Sequence, residues 1–178
     1  GNLTIGSKVS CIERNSFKGL SKLNGPLKLP SLLRKIEDGS FYGCSGLNGC
    51  LELPKNLVAI EDYAFYGCSG LISLNEIPPG VEEIGNYSFS ECRLLQYNLI
   101  LPKNLQKIGD FAFTNCSLLT GSLDLPDSLA SLGKFAFKGT NLNGYLKIGK
   151  SFKEIKSNMF EGCNELSGQL TIGTNVKK

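Results

Sequence analysis

Seven cysteines and no histidine set the limits on what chemistry this chain can do. Without an imidazole, the commonest general base and the commonest transition-metal ligand are both missing. A cysteine thiolate can act as a nucleophile, but only where a neighbouring base or cation lowers its pKa. Cys44, Cys68, Cys92, Cys116 and Cys163 share one repeating position, and nothing recurrent beside them supplies such a group. Their sulfurs are spread along the chain rather than clustered at the CxxC spacing of a zinc site. A column of small buried apolar thiols is the weightier reading. The sequence therefore points to no catalytic residue, no metal and no cofactor. Cys11 and Cys50 fall outside that column, at positions where other repeats carry polar residues, and read as exposed thiols able to pair between molecules.

Two further sets of side chains invite a binding role. Tyr63, Tyr87, Phe111 and Phe135 recur at one position, with Tyr42 and Tyr66 close by. An exposed aromatic stripe could stack on sugar rings or grip a protein; a half-buried flank of a turn outweighs that reading. Lys147, Lys150, Lys153 and Lys156 recur every third residue, yet the chain turns at Gly149 and Glu154 interrupts them. A solvated edge is expected there, and nucleic-acid binding is not. The net charge of +3 is too small to argue for an anionic partner by itself. By sequence segment it runs +4 over 1–50, −5 over 51–98, +1 over 99–122 and +3 over 123–178. An elongated molecule would then be basic at both ends and acidic in the middle. No stretch approaches the roughly 18 apolar residues that a membrane-spanning helix needs, so membrane insertion of this segment is not expected.

The elements that would position these residues are set by a repeat. Phe17, Phe41, Phe65, Phe89, Phe113 and Phe137 each follow the last by 24 residues, and Phe160 follows by 23. One frame surrounds each. In the third copy it reads Leu51, Leu53, Pro54, Leu57, Ile60, Ala64, Phe65, Gly67, Cys68 and Leu71. Leu-x-Leu is period-two alternation, which buries both leucines of a short strand and leaves the middle residue in solvent. Pro30, Pro54, Pro78, Pro102 and Pro126 stop that strand, since proline cannot donate to a ladder. The Leu57–Ile60 step predicts a second short extended segment, and the Ala-Phe step a short helical or 3₁₀ turn. The fourth copy opens Asn75-Glu76-Ile77, with a polar residue at the first interior position, and is expected to be locally loose. A single copy cannot bury so many apolar side chains, so the copies must stack.

The pattern Leu-x-Leu-Pro-x-x-Leu-x-x-Ile-Gly-x-x-Ala-Phe-x-x-Cys-x-x-Leu resembles the BspA-like, treponemal class of leucine-rich repeats. Ile108-Gly109-Asp110-Phe111-Ala112-Phe113 and Cys116 match it almost letter for letter, and the resemblance covers essentially residues 3–176. It implies a leucine-rich-repeat solenoid: a curved right-handed coil of short parallel β-strands and short turns or 3₁₀ segments, with about seven repeats of 23–24 residues. Residues 1–178 form one such domain, and the pattern runs into both chain ends, as expected of a fragment of a longer array. The family resemblance further implies a cell-surface or secreted protein that binds host matrix proteins, receptors, other microbial surfaces or glycans. The expected function is thus a protein-binding or adhesion module and not an enzyme; the alternative is a structural spacer with no ligand of its own. Strand alternation places the ligand surface on the solvent-facing strand row, made of Lys28, Glu52, Glu76, Ile100, Asp124 and Lys147 with Tyr145 beside it.

Overall fold

Ile36, Ile60, Ile84, Ile108 and Leu132 lie in register, one above the next, and this column organises the molecule. The structure is a computed structural model and describes residues 1–177. Twelve short strands form among them: β1 (Lys35–Ile36), β2 (Gly49–Leu51), β3 (Ala59–Ile60), β4 (Leu71–Leu74), β5 (Glu83–Ile84) and β6 (Tyr97–Asn98), then β7 (Lys107–Ile108), β8 (Leu119–Thr120), β9 (Leu123–Asp124), β10 (Ser131–Leu132), β11 (Leu146–Ile148) and β12 (Leu170–Ile172). Every pairing between them is parallel, so the chain winds as a β-solenoid with one coil per repeat.

The longest sheet is not built from the Leu-x-Leu segments. It is β1-β3-β5-β7-β10, the second extended step of each frame. Its inward Ile or Leu is buried in all five coils. The Leu-x-Leu segments contribute only to shorter sheets: β9, β11 and β12 lie within them and pair with one another, β2 ends on the first leucine of its copy, and β4, β6 and β8, in the sheets β2-β4 and β6-β8, lie just ahead of theirs. The division has local causes. Counting 24 residues from Leu51 would place Asn75 inside, where its amide would need a buried partner. The strand slips by one residue: Gly49 faces Leu71, then Cys50 faces Ser73 and Leu51 faces Leu74. Leu74 thereby turns inward, 5% exposed, and Asn75 turns out. A slip of one residue reverses which face a side chain takes. Asn75 Oδ1 then accepts the Leu53 N–H at 3.2 Å. The fourth coil is therefore repaired by a bulge rather than loosened.

At the Ala-Phe corner the chain makes stacked turns in place of a helix. Tyr63, Phe65 and Gly67 donate their N–H groups to the carbonyls of Asn86, Ser88 and Ser90 in the next coil, at 2.8–2.9 Å. With its N–H groups committed to a neighbour, the segment keeps only isolated turn bonds such as Cys68 N–H to Phe65 O, 3.1 Å. The phenylalanines from Phe17 to Phe137 stack through the centre with centroids 5.2–5.4 Å apart and nearly parallel planes. Phe41, Phe65, Phe89, Phe113 and Phe137 are fully buried, each contributing roughly 1.5–3 kcal/mol of transfer free energy. Gly109 is required where coils touch, because a Cβ there would overlap the Asn86 backbone nitrogen of the preceding coil. Regularity declines at the last coil: Ile155, which continues the buried column of Ile108 and Leu132, is 42% exposed.

Candidate functional site

Between the fifth and sixth coils the strand row parts. Tyr97 and Asn98 pair with Leu119 and Thr120, but Leu123 and Asp124 pair onward with Leu146 and Lys147 and belong to a different sheet. The break falls at Gly121, where φ is +101° and a Cβ would overlap the Asn98 side chain. Glycine satisfies both demands at once, the left-handed backbone and the close approach. Past this point the two coils diverge and leave an open groove of about 610 Å³.

Four residues of the expected row meet in that groove. Ile100 rises from one wall, 66% exposed; Asp124, Tyr145 and Lys147 form the other. Lys147 Nζ donates to Asp124 Oδ1 at 2.8 Å, and Tyr145 Oη donates to Asp124 Oδ2 at 3.3 Å. The hydrogen bond and charge of Asp124 hold the Lys147 ammonium above its usual pKa. Both partners are nearly half exposed, so this pair orients side chains more than it stabilises the fold. Beneath Ile100, the Tyr97 hydroxyl donates to the Ile100 carbonyl at 3.4 Å and braces the strand. Lys103 and Asp127 complete the rim. The result is an apolar side chain and an aromatic one facing each other across mixed charge, which suits a protein surface. Lys28, Glu52 and Glu76 are exposed on the same row but do not line the groove. Lys28 and Glu52 are bridged neighbours on their own stretch of ladder.

The thiol column packs as a structural element. Cys44, Cys68, Cys92 and Cys116 are buried and free, Cys163 is half-buried, and Cys11 and Cys50 are exposed. Cys68, Cys92 and Cys116 donate their S–H groups to the carbonyls of Phe41, Phe65 and Phe89, at 3.1–3.2 Å. Burial pushes these thiols well up, and it pushes Cys163 up to about 11. Among the described residues no group of His, Cys, Asp and Glu is placed to hold a metal ion, and no helix is long and apolar enough to cross a membrane. The lysines after Tyr145 do not form a comb. Lys147 reaches Asp124, Lys150 reaches Asp127 and Lys156 reaches Glu154.

A polar ladder escaped the sequence reading. Asp38 Oδ1 accepts the Asp62 N–H, Asp62 accepts from Asn86, Asn86 from Asp110, and Asp110 from Lys134, each one coil on. The signal was the recurrence of Asp or Asn every 24 residues at 38, 62, 86 and 110. The parting of the strand row had a fainter signal, Gly121 in the sixth turn, whose meaning depends on the coil beside it.

Comparison with known proteins agrees with this architecture. The model of the BspA type leucine-rich repeat region matches in six copies over residues 1–100 and 96–178. Among curated proteins nothing matches. Among solved structures, a leucine-rich repeat protein of Treponema pallidum is 25% identical with a TM-score of 0.57, over 98% of this chain and 69% of that one. The pneumococcal vaccine antigen PcpA shares the fold at 24% identity and a TM-score of 0.57, over 93% of this chain and 46% of its own. A leucine-rich cell surface protein of Faecalibacterium prausnitzii is more distant, at 20% identity and a TM-score of 0.45, over 90% and 62%. With its repeat frame, its stacked coils and a family model spanning nearly all of it, the chain belongs to the BspA-type leucine-rich-repeat family.

Proposed function

We propose that this solenoid is a protein-binding module of adhesion type, displayed at a cell surface or secreted, and that its ligand docks in the groove between Ile100 and Tyr145. The observation that carries the reading is the meeting of Ile100, Asp124, Tyr145 and Lys147 around one opening in the strand row. A stacked scaffold presents these side chains preorganised, which lowers the entropic cost of binding. Ile100 is two-thirds in water, and covering it on binding would contribute to affinity. Catalysis is not part of the reading: Cys68, Cys92 and Cys116 are buried with raised pKa values, and the exposed Cys11 and Cys50 have no histidine in the chain to activate them.

The test is surface-immobilised binding to a panel of extracellular-matrix and host-receptor proteins, with Ile100→Asp and Tyr145→Ala/Lys147→Glu variants alongside. The expected result is micromolar or tighter binding to at least one protein, weakened about tenfold or more by each variant. Absence of binding across the panel, or binding indifferent to both variants, would replace this reading with that of a spacer.

A further inference from the structure

A second opening lies at the end of a second aromatic column, in other coils than the groove. Tyr63, Tyr87, Phe111 and Phe135 stack with centroids 4.9, 4.7 and 5.1 Å apart. All four hold a left-handed backbone, with φ between 55° and 57°. Asn15 and Asn158 occupy the same position in their coils at φ 59° and 62°. One coil differs: its residue is Gly39, at φ 58°. Six side chains tolerate that conformation here, so φ alone does not call for the glycine; a Cβ at this position would press on the end of the Asn15 side chain, which reaches over Gly39 and lines the opening beside it. What the glycine does is omit a ring. The face of Tyr63 toward Gly39 has no stacking partner in the column, and Tyr63 is 39% exposed where the other three members are half-buried.

The space left by the missing ring is a cavity of about 300 Å³, at the small end of ligand sites, roughly 300–1,000 Å³. Tyr63 forms one wall, and Tyr42, tilted 46° to it with centroids 6.2 Å apart, forms the next. Lys18 Nζ lies 4.8 Å over the Tyr42 ring and covers it, so Tyr63 offers the open face. The rim is polar and balanced, with Arg14 and Lys18 against Asp38 and Asp62. Arg14 is fixed by Asp38 at 2.6 Å, and Asp38 Oδ1 is held by the Asp62 N–H at 3.2 Å. Each carboxylate oxygen keeps a second lone pair, and the guanidinium keeps further N–H donors.

We propose that this notch is a carbohydrate site that takes one neutral pyranose ring, stacked on the open face of Tyr63 with its hydroxyls on the Arg14–Asp38–Asp62 rim. The C–H bonds on one face of a pyranose carry partial positive charge and meet the negative face of the phenol ring. Ring hydroxyls donate to carboxylates and accept from a guanidinium, and the rim supplies both. A plain aromatic side chain would stack equally well but would strip water from those charges without replacing it. Two cations against two anions favour a neutral sugar over an anionic one.

The experiment is saturation-transfer NMR on the protein with methyl glucoside, galactoside, mannoside and N-acetylglucosaminide at millimolar concentration, and p-cresol as the aromatic probe. Gly39→Tyr restores the missing ring, and Arg14→Ala removes a rim donor whose side chain is 71% exposed, so the second variant spares the fold. The expected result is saturation of the hydrogens on one sugar face for at least one glycoside, with affinity reduced about tenfold or more by Gly39→Tyr and several-fold by Arg14→Ala. Ile100→Asp, in the other groove, is expected to leave this signal unchanged. The proposal is overturned if no glycoside binds, if p-cresol binds and none of the sugars does, or if glycoside binding survives in Arg14→Ala and in folded Gly39→Tyr.

Discussion

Each buried thiol of the cysteine column donates to a phenylalanine carbonyl and lies out of reach of water, so ionising it would forfeit a hydrogen bond and hydration together. Burial therefore raises the pKa of Cys92 and Cys116 in the fold above the unfolded value of about 8.5. The sign of the consequence is fixed. Between the unfolded and folded pKa values the native state holds protons that the unfolded state has released, so stability falls as pH rises. It is fully present below about pH 8.5 and declines above it, by up to about 1.4 kcal/mol per pH unit for each fully buried thiol. Urea melts at about pH 7 and about pH 10 measure this directly. Cys116→Ala is expected to cost stability at neutral pH yet to flatten the alkaline decline. An unchanged pH slope in that variant would show that the thiol does not ionise only on unfolding.

At the scale of the element, the bulge in β4 decides which residue of the fourth coil belongs to the core. Leu74→Ala is expected to cost about 2–5 kcal/mol, the range for truncating a buried leucine. Asn75→Ala, which removes only the acceptor for the Leu53 N–H, is expected to cost about 1 kcal/mol. Denaturant melts giving the reverse order would mean that the regular 24-residue register holds and Asn75 faces inward. This strand also shows where the sequence stops being legible. The period of phenylalanine and the Leu-x-Leu alternation identify the coil, its inward side chains and the solvent-facing row, because those depend on local pattern alone. Register between coils depends on what a neighbour can accommodate. Nothing in Asn75-Glu76-Ile77 alone says that Leu74 will take its place. Likewise Gly121 reads as an ordinary turn glycine until Asn98 is placed against it. Ile100, Asp124, Tyr145 and Lys147 were recognisable as row residues, but the groove that gathers them exists only because two strands fail to pair.

The whole molecule is a ladder in which each coil is satisfied mainly by its neighbours, and its stability is close to a sum of coil and interface terms. Such a scaffold tolerates local departures, and both openings occur at departures: one where a strand parts at Gly121, the other where a ring is missing at Gly39. They lie in separate coils, so a change at one should leave the other intact. The groove on the strand row is the claim on which the functional account depends. Its most direct test is amide hydrogen exchange of the solenoid, free and in complex with whichever matrix or receptor protein the panel identifies. Slowed exchange confined to residues 97–101, 119–127 and 145–147 is the expected result. Protection elsewhere, with those segments exchanging as in the free protein, would contradict it.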